Sequence, residues 1–285
     1  MKVVRSKREL RAALDERRSG SVGLVPTMGF FHKGHLSLMR RARSECATVV
    51  VSSFVNPTQF RPGEDYESYP RDEQRDIELA RATGVDLFFA PPVDEMYASD
   101  HCTTVRVRGG LTEVLCGDPH RRGPEHFDGV TTVVAKLLNI VQPQRAYFGQ
   151  KDAQQALVVR RMVRDLDFPV EVVVCPTVRE ADGLAMSSRN VYLSPDERQR
   201  ATALSRALEA ARRAAANGAV TPAEVLAVAR SELAAAGVEP EYLELRSLED
   251  LRPVESLERP ALLAVAARIG RARLIDNVTL GGAEL

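Results

Sequence analysis

From the start of the chain to about residue 178, short runs of β-branched and aromatic residues alternate with stretches whose apolar positions recur every three or four residues. The runs at 22–25, 47–55, 86–90, 145–148 and 170–174 predict strands. Between them Val130, Val133, Val134, Leu137, Leu138 and Val141 form one helix stripe that ends before Pro143, and Ala156, Val159, Val163 and Leu166 form another. Strands and helices in alternation predict an α/β fold with a mainly parallel sheet. Beyond Arg189 the pattern changes. Two helix starts, Ser194-Pro195-Asp196-Glu197 and Thr221-Pro222-Ala223-Glu224, each carry an N-cap hydroxyl, a first-turn proline and the glutamate of a capping box. Leu204 and Leu208 give the alanine-rich stretch at 199–216 one apolar side, and the tail alternates at 242–245, 262–267 and 273–278. These features predict a smaller α+β domain, with residues 1–178 as the first domain and 179–285 as the second.

Charge narrows the function classes. Lys plus Arg and Asp plus Glu both total 39, so no bulk positive field favours a nucleic-acid partner. No apolar run is long enough for a bilayer, and the first residues lack a signal-like apolar core; the expectation is a cytoplasmic protein with no membrane partner. Cys46, Cys102, Cys116 and Cys175 are far apart, without the pairing that marks zinc or redox work.

Candidate chemistry collects where predicted strands run out. Pro26-Thr27-Met28-Gly29-Phe30-Phe31-His32-Lys33-Gly34-His35 links a strand to a helix expected from about His35. Helix N-terminal N–H groups favour phosphate, glycines permit close approach, and His32 and His35 can donate from one side of the first turn. The competing reading makes the histidines caps or surface residues. A second strand ends at Phe54-Val55-Asn56-Pro57-Thr58-Gln59-Phe60, where Asn56 and Gln59 could hold a hydroxy acid or simply form a turn. The acidic residues Glu64, Asp65, Asp72, Glu73 and Asp76 read as a solvated face rather than a Mg²⁺ site. At Phe148-Gly149-Gln150-Lys151-Asp152-Ala153-Gln154-Gln155 a strand again meets a glycine turn and a helix, with Lys151 suited to phosphate or to an ion pair with Asp152. Asp182-Gly183-Leu184-Ala185-Met186-Ser187-Ser188-Arg189-Asn190 supplies hydroxyls and a guanidinium fit for phosphate, or a plain turn capped by serine.

Together and in this order these blocks resemble the pantothenate synthetase family, which joins pantoate to β-alanine with ATP. The resemblance runs from the opening turn through Asn277 and includes Tyr69-Pro70-Arg71. It implies a Rossmann-like nucleotide-binding domain, a C-terminal lid domain, a homodimer, and MgATP, pantoate and β-alanine as small-molecule partners. It further implies that Met28, Gly29, Phe30, Phe31, His32, Lys33, Gly34 and His35 bind ATP, with His35 the principal catalytic histidine and His32, Lys151 and Arg189 assisting. Gly149, Gln150, Lys151, Asp152, Val178, Met186, Ser187, Ser188 and Arg189 would complete the ATP site, and Gln59 and Gln155 would hold pantoate; Asn56 is counted with them as a substrate-binding residue.

The chain departs from the family pattern at three places. Phe30-Phe31 replaces a small residue followed by leucine, and Gln150 replaces a common Glu or Lys. Gly123-Pro124-Glu125-His126-Phe127 replaces Arg-Pro-Gly-His-Phe after the basic residues His120, Arg121 and Arg122, which argues against a role for Arg122 in the amine half-reaction. The alternatives are another His-x-Gly-His nucleotidyl transferase and a nucleotide-binding regulator without activity; the paired glutamines and the intact basic residues favour the ligase.

Overall fold

The computed structural model describes residues 1–218, 221–282 and 285. Its contacts divide the chain into two units, Met1–Gly149 with Val158–Cys175, and Gln150–Leu157 with Pro176–Leu285. The second unit thus begins at Pro176 and also takes Gln150–Leu157, a segment that the sequence pattern assigns to the first domain.

In the first part of the chain the elements are β1 (Lys2–Val4), α1 (Lys7–Asp15), β2 (Val22–Thr27), α2 (Lys33–Glu45), β3 (Thr48–Ser53), α3 (Glu73–Ala82), β4 (Leu87–Phe89), α4 (Val93–Met96), α5 (Pro124–Val141), β5 (Arg145–Gly149), α6 (Ala153–Asp165) and β6 (Glu171–Cys175). All five expected strands form. β1 is added at the edge, too short for its alternation to register in sequence. The sheet order is β1-β4-β3-β2-β5-β6, and every neighbouring pair is parallel. Strand order reverses between β2 and β5. In open α/β sheets ligands bind beyond the carboxyl ends of strands at such a reversal, and the chain leaves β2 there through Met28 to His32.

Burial explains why the strand runs are continuously apolar. Val49, Val50 and Val51 of β3 and Leu87, Phe88 and Phe89 of β4 are fully buried, as strands covered on both faces must be. α5 buries its predicted stripe and most of its remaining surface. Gly129 in this helix has a specific purpose: a Cβ there would stand 2.4 Å from the carbonyl oxygen of Thr58. Its absence lets residues 56–59 lie directly on the helix.

The second unit contains α7 (Pro195–Ala216), α8 (Pro222–Ala235) and an antiparallel meander of β7 (Pro240–Ser247), β8 (Ala261–Ile269) and β9 (Ala272–Leu280). Both capping boxes form, with reciprocal bonds between Ser194 and Glu197 and between Thr221 and Glu224. Leu204, Leu208 and Ala211 of α7 and Val225, Ala229 and Leu233 of α8 pack with Leu263, Val265 and Ala267 of β8 in one core. Among the described residues no helix is long and apolar enough to cross a membrane.

Replacing Gly by Ala inside a helix ordinarily stabilises it by about 0.5–1 kcal/mol. At Gly129 the sign reverses, because the methyl group must push the Thr58 carbonyl away. Gly129→Ala is expected to lose about 1–3 kcal/mol in urea denaturation; a gain in stability would show that residues 56–59 do not rest on α5.

Candidate functional site

The turn after β2 is held from below. Gly29 (φ +85°) and Phe30 (φ 51°) both take left-handed backbone, and a Cβ on Gly29 would meet the Ser53 hydroxyl at 2.8 Å. The turn directs the N–H groups of Phe30 and Phe31 inward, where each donates to a different carboxylate oxygen of Asp76, both at 2.6 Å. Asp76 lies on α3 and is 1% exposed, so the reading of residues 64–76 as a uniformly solvated face is corrected here. Burial pushes its carboxyl above the ordinary value, against the bonds from Phe31 and Phe30 and the charge of Arg75. Arg75 donates to the Phe31 carbonyl at 2.9 Å and stacks over the Phe30 ring.

α2 begins at Lys33, two residues earlier than expected, because His32 caps it. Its Nδ1 accepts from the Gly34 N–H at 3.2 Å, while the His32 N–H donates to Nδ1 of His35 at 3.3 Å. An imidazole nitrogen that accepts carries no hydrogen, so each neutral ring holds its proton on Nε2. The rings stack with centroids 4.1 Å apart. The capping and catalytic readings of this pair are therefore compatible: Nδ1 serves the helix and Nε2 carries the donor hydrogen. Lys33 is exposed at the first helical position.

The end of β3 leads to Asn56, 1% exposed, whose amide donates to the Gln59 Oε1 and to the Gly129 carbonyl, both at 3.1 Å. Its Oδ1 accepts from Tyr97 at 2.9 Å and Thr58 at 3.0 Å. Asn56 is thus a buried structural residue that orients Gln59. The Gln59 amide donates to the sulfur of Met28 at 3.2 Å, which joins this segment to the opening turn.

In the second unit, Gln150–Asp152 form a short 3₁₀ turn before α6. Lys151 lies 3.6 Å from Asp152, and Gln155 is half-buried on α6. Asn277 of β9 fixes the turn by donating to the carbonyls of Gln150 and Lys151, both at 2.9 Å. Sequence reading gave Asn277 no role, since its partners lie far away along the chain. Val178 accepts from the Met186 N–H at 3.0 Å, Ser187 caps the 3₁₀ segment Ser188–Tyr192, and Ser188 is buried. Arg189 is half-buried in that segment. Below it Glu180 accepts from Asn190 at 2.9 Å and from Arg198 at 2.8 Å. Burial disfavours the Glu180 charge, but those bonds outweigh it, so its pKa lies below the ordinary value. Among the described residues no group of three or more His, Cys, Asp or Glu gathers in metal-binding geometry.

A parallel α/β sheet with imidazole donors and oriented amides beyond the ends of β2 and β3 defines an α/β enzyme of the nucleotide-binding type. Residues 2–279 match the family model of pantoate-beta-alanine ligases. A pantothenate synthetase from Pelotomaculum thermopropionicum is 53% identical over 279 residues, 96% of each chain. The crystal structure of pantothenate synthetase from Thermus thermophilus superposes with a TM-score of 0.93 at 55% identity, covering 98% of this chain and 99% of that one. A pantoate-beta-alanine ligase from Francisella tularensis, complexed with beta-gamma ATP and β-alanine, has a TM-score of 0.81 at 30% identity over 98% and 97% of the two chains. The chain belongs to the pantoate-beta-alanine ligase family.

Two outcomes test the supports of the site. Asp76→Asn replaces one acceptor oxygen with an amide that faces a backbone N–H, and is expected to lose about 1–3 kcal/mol together with turnover; urea unfolding at the wild-type midpoint would show that the turn has another hold. Because the folded-state pKa of Glu180 is lowered, its contribution is present above the ordinary glutamate value and lost as pH falls through the folded one. Glu180→Gln should therefore flatten the acid limb of thermal stability, and an unchanged limb would exclude Glu180 as a source of it.

Proposed function

We propose that the chain condenses (R)-pantoate with β-alanine through a pantoyl adenylate, releasing pyrophosphate and then AMP. The observation that carries this reading is the stacked His32–His35 pair, capped through Nδ1 and donating through Nε2, beyond β2. Such donors suit phosphate oxygens that gain charge as a leaving group departs. A pantoate carboxylate oxygen attacks the α-phosphorus of MgATP, and the bond to the bridging oxygen breaks to release pyrophosphate. The β-alanine amine then attacks the acyl carbon, the acyl–oxygen bond breaks, and the amine loses a proton as AMP leaves.

In this reading Met28–His35, Gly149–Asp152, Val178 and Met186–Arg189 bind ATP, and His35, His32, Lys151 and Arg189 stabilise the developing charge. Gln59 and Gln155 hold pantoate, with Asn56 as the support of Gln59 rather than a direct contact. The complex of the Francisella relative with beta-gamma ATP and β-alanine supports two of the three substrates. The Mg²⁺ is part of the substrate, since that ion is commonly carried by phosphates. The proposal includes a homodimer, a cytoplasmic location, and a second unit that acts as a lid, keeping water from the adenylate.

His35→Asn separates capping from chemistry. The asparagine Oδ1 can accept the His32 N–H, but the Nε2 donor is gone. Pantoate-dependent pyrophosphate release should fall by about 10²–10³ with the circular dichroism spectrum retained. Near-normal release would remove His35 from its assigned role.

A further inference from the structure

The peptide carbonyl of Gln59 receives two donors at once. His126 Nδ1 lies 2.8 Å from it and Arg122 Nη2 lies 3.2 Å from it. A carbonyl only accepts, so Nδ1 of His126 carries the ring hydrogen; a guanidinium only donates, so Nε2 accepts from Arg122 Nη1 at 3.0 Å. Arg122 is itself fixed by a fork on Glu64, with Nε at 2.9 Å and Nη2 at 2.6 Å from its two oxygens. All three side chains are mostly shielded: His126 is 8% exposed, and the side chains of Arg122 and Glu64 are 17% and 24% exposed. The carbonyl lies at the end of the 3₁₀ turn Pro57–Gln59, where the chain leaves the helix and side chains must replace the missing helical donors.

This arrangement also explains the altered block before α5. Gly123 has φ +74°, and a Cβ on it would meet the guanidinium of Arg61 at 2.4 Å. An arginine at position 123 would carry the strain of a left-handed backbone and displace the Arg61 and Glu125 side chains, whereas Arg122 reaches the Gln59 carbonyl from the preceding residue.

We infer that Arg122 and His126 are positioning residues that set the orientation of Gln59 and thereby the selectivity for a hydroxylated carboxylic acid. The inference rests on the reading of Gln59 as an acid-binding residue. The Gln59 amide gives Oε1 to Asn56 and one N–H to the weakly accepting Met28 sulfur. That leaves the capacity of one N–H and one lone pair, the complement of a hydroxyl group. With its carbonyl clamped from two sides the peptide cannot rotate, and the amide stays aimed. A site built to pair with a hydroxyl rejects the analogue lacking it, because its own polar groups are then left unpaired.

The test compares kcat/KM of the full chain for pantoate and for the analogue with hydrogen in place of the 2-hydroxyl, by pyrophosphate release with MgATP. Arg122→Lys keeps the charge opposite Glu64 but loses the fork. It should lower the hydroxy-to-deoxy ratio by about tenfold and raise the KM for pantoate, while the KM for ATP stays within about twofold. His126→Ala should do the same, and His126→Asn, whose Nδ2 can stand in for Nδ1, should restore the wild-type ratio. If Arg122→Lys does not fold, the two His126 variants decide. Wild-type ratios in all folded variants, a parallel rise in the KM for ATP, or equal loss in both His126 variants would overturn the inference. Wild-type protein that releases no pyrophosphate on addition of pantoate would instead overturn the functional reading beneath it.

Discussion

Where β2 ends, the chain turns into α2 through two residues in left-handed backbone, and that turn forces two consecutive N–H groups away from water. Buried donors without acceptors cost about 1–3 kcal/mol each, more than the turn itself could supply. Asp76 accepts both. The cost is thereby moved onto a carboxylate whose charge is disfavoured chiefly by its own burial. Since its folded-state pKa is raised, Asp76 favours the fold most in acid, and that contribution is lost as pH rises through the raised value. Arg75 adds a further support by holding the Phe31 carbonyl. The position of His32 and His35 therefore depends on α3, a helix with no imidazole or phosphate-binding motif of its own.

The second unit meets a similar demand differently. Adjacent residues on a strand point to opposite faces, and β9 uses two of them in succession. Asn277 spans the carbonyls of Gln150 and Lys151, while Asp276 receives Arg179 in a fork, at 2.6 and 3.1 Å. One strand thus ties down both the turn that presents Lys151 and the start of the segment leading to Arg189. The neutral amide avoids the desolvation penalty of a carboxylate. Its Oδ1, however, is buried with no partner among the described residues. The first unit holds its turn with a carboxyl group and the second with an amide that leaves one acceptor unmet.

What the sequence made visible was local. Strands, the α5 stripe and both capping boxes announce themselves through periodicity or contiguous motifs, and these formed where expected. Asp76, Asn277 and Arg122 were invisible as supports for the opposite reason. Asp76 sits among acidic neighbours that are exposed, and nothing in its own segment says that backbone donors reach it. Asn277 acts on carbonyls 126 and 127 residues away. The helix start was misplaced because His32, an unusual N-cap, fills a place normally given to Ser, Thr, Asp or Asn. For Asp76, Asn277 and Arg122 the missing term was a tertiary contact to the backbone, which the string of side chains does not record.

The Phe30-Phe31 pair shows how a departure in sequence can be a support in space. Phe31 is 1% exposed and packs its ring 6.1 Å from Phe88 of β4 and 5.5 Å from the His35 ring. It therefore joins the imidazole to the sheet core, and with His32 stacked beside it His35 has an aromatic neighbour on each ring contact. Phe30 carries the strained backbone, and its half-buried ring lies under the Arg75 guanidinium, the same group that holds the Phe31 carbonyl. A smaller residue at position 31 would leave the His35 ring less confined. Bulk at position 31 is thus a means of fixing a ring whose Nδ1 is already committed to the helix cap.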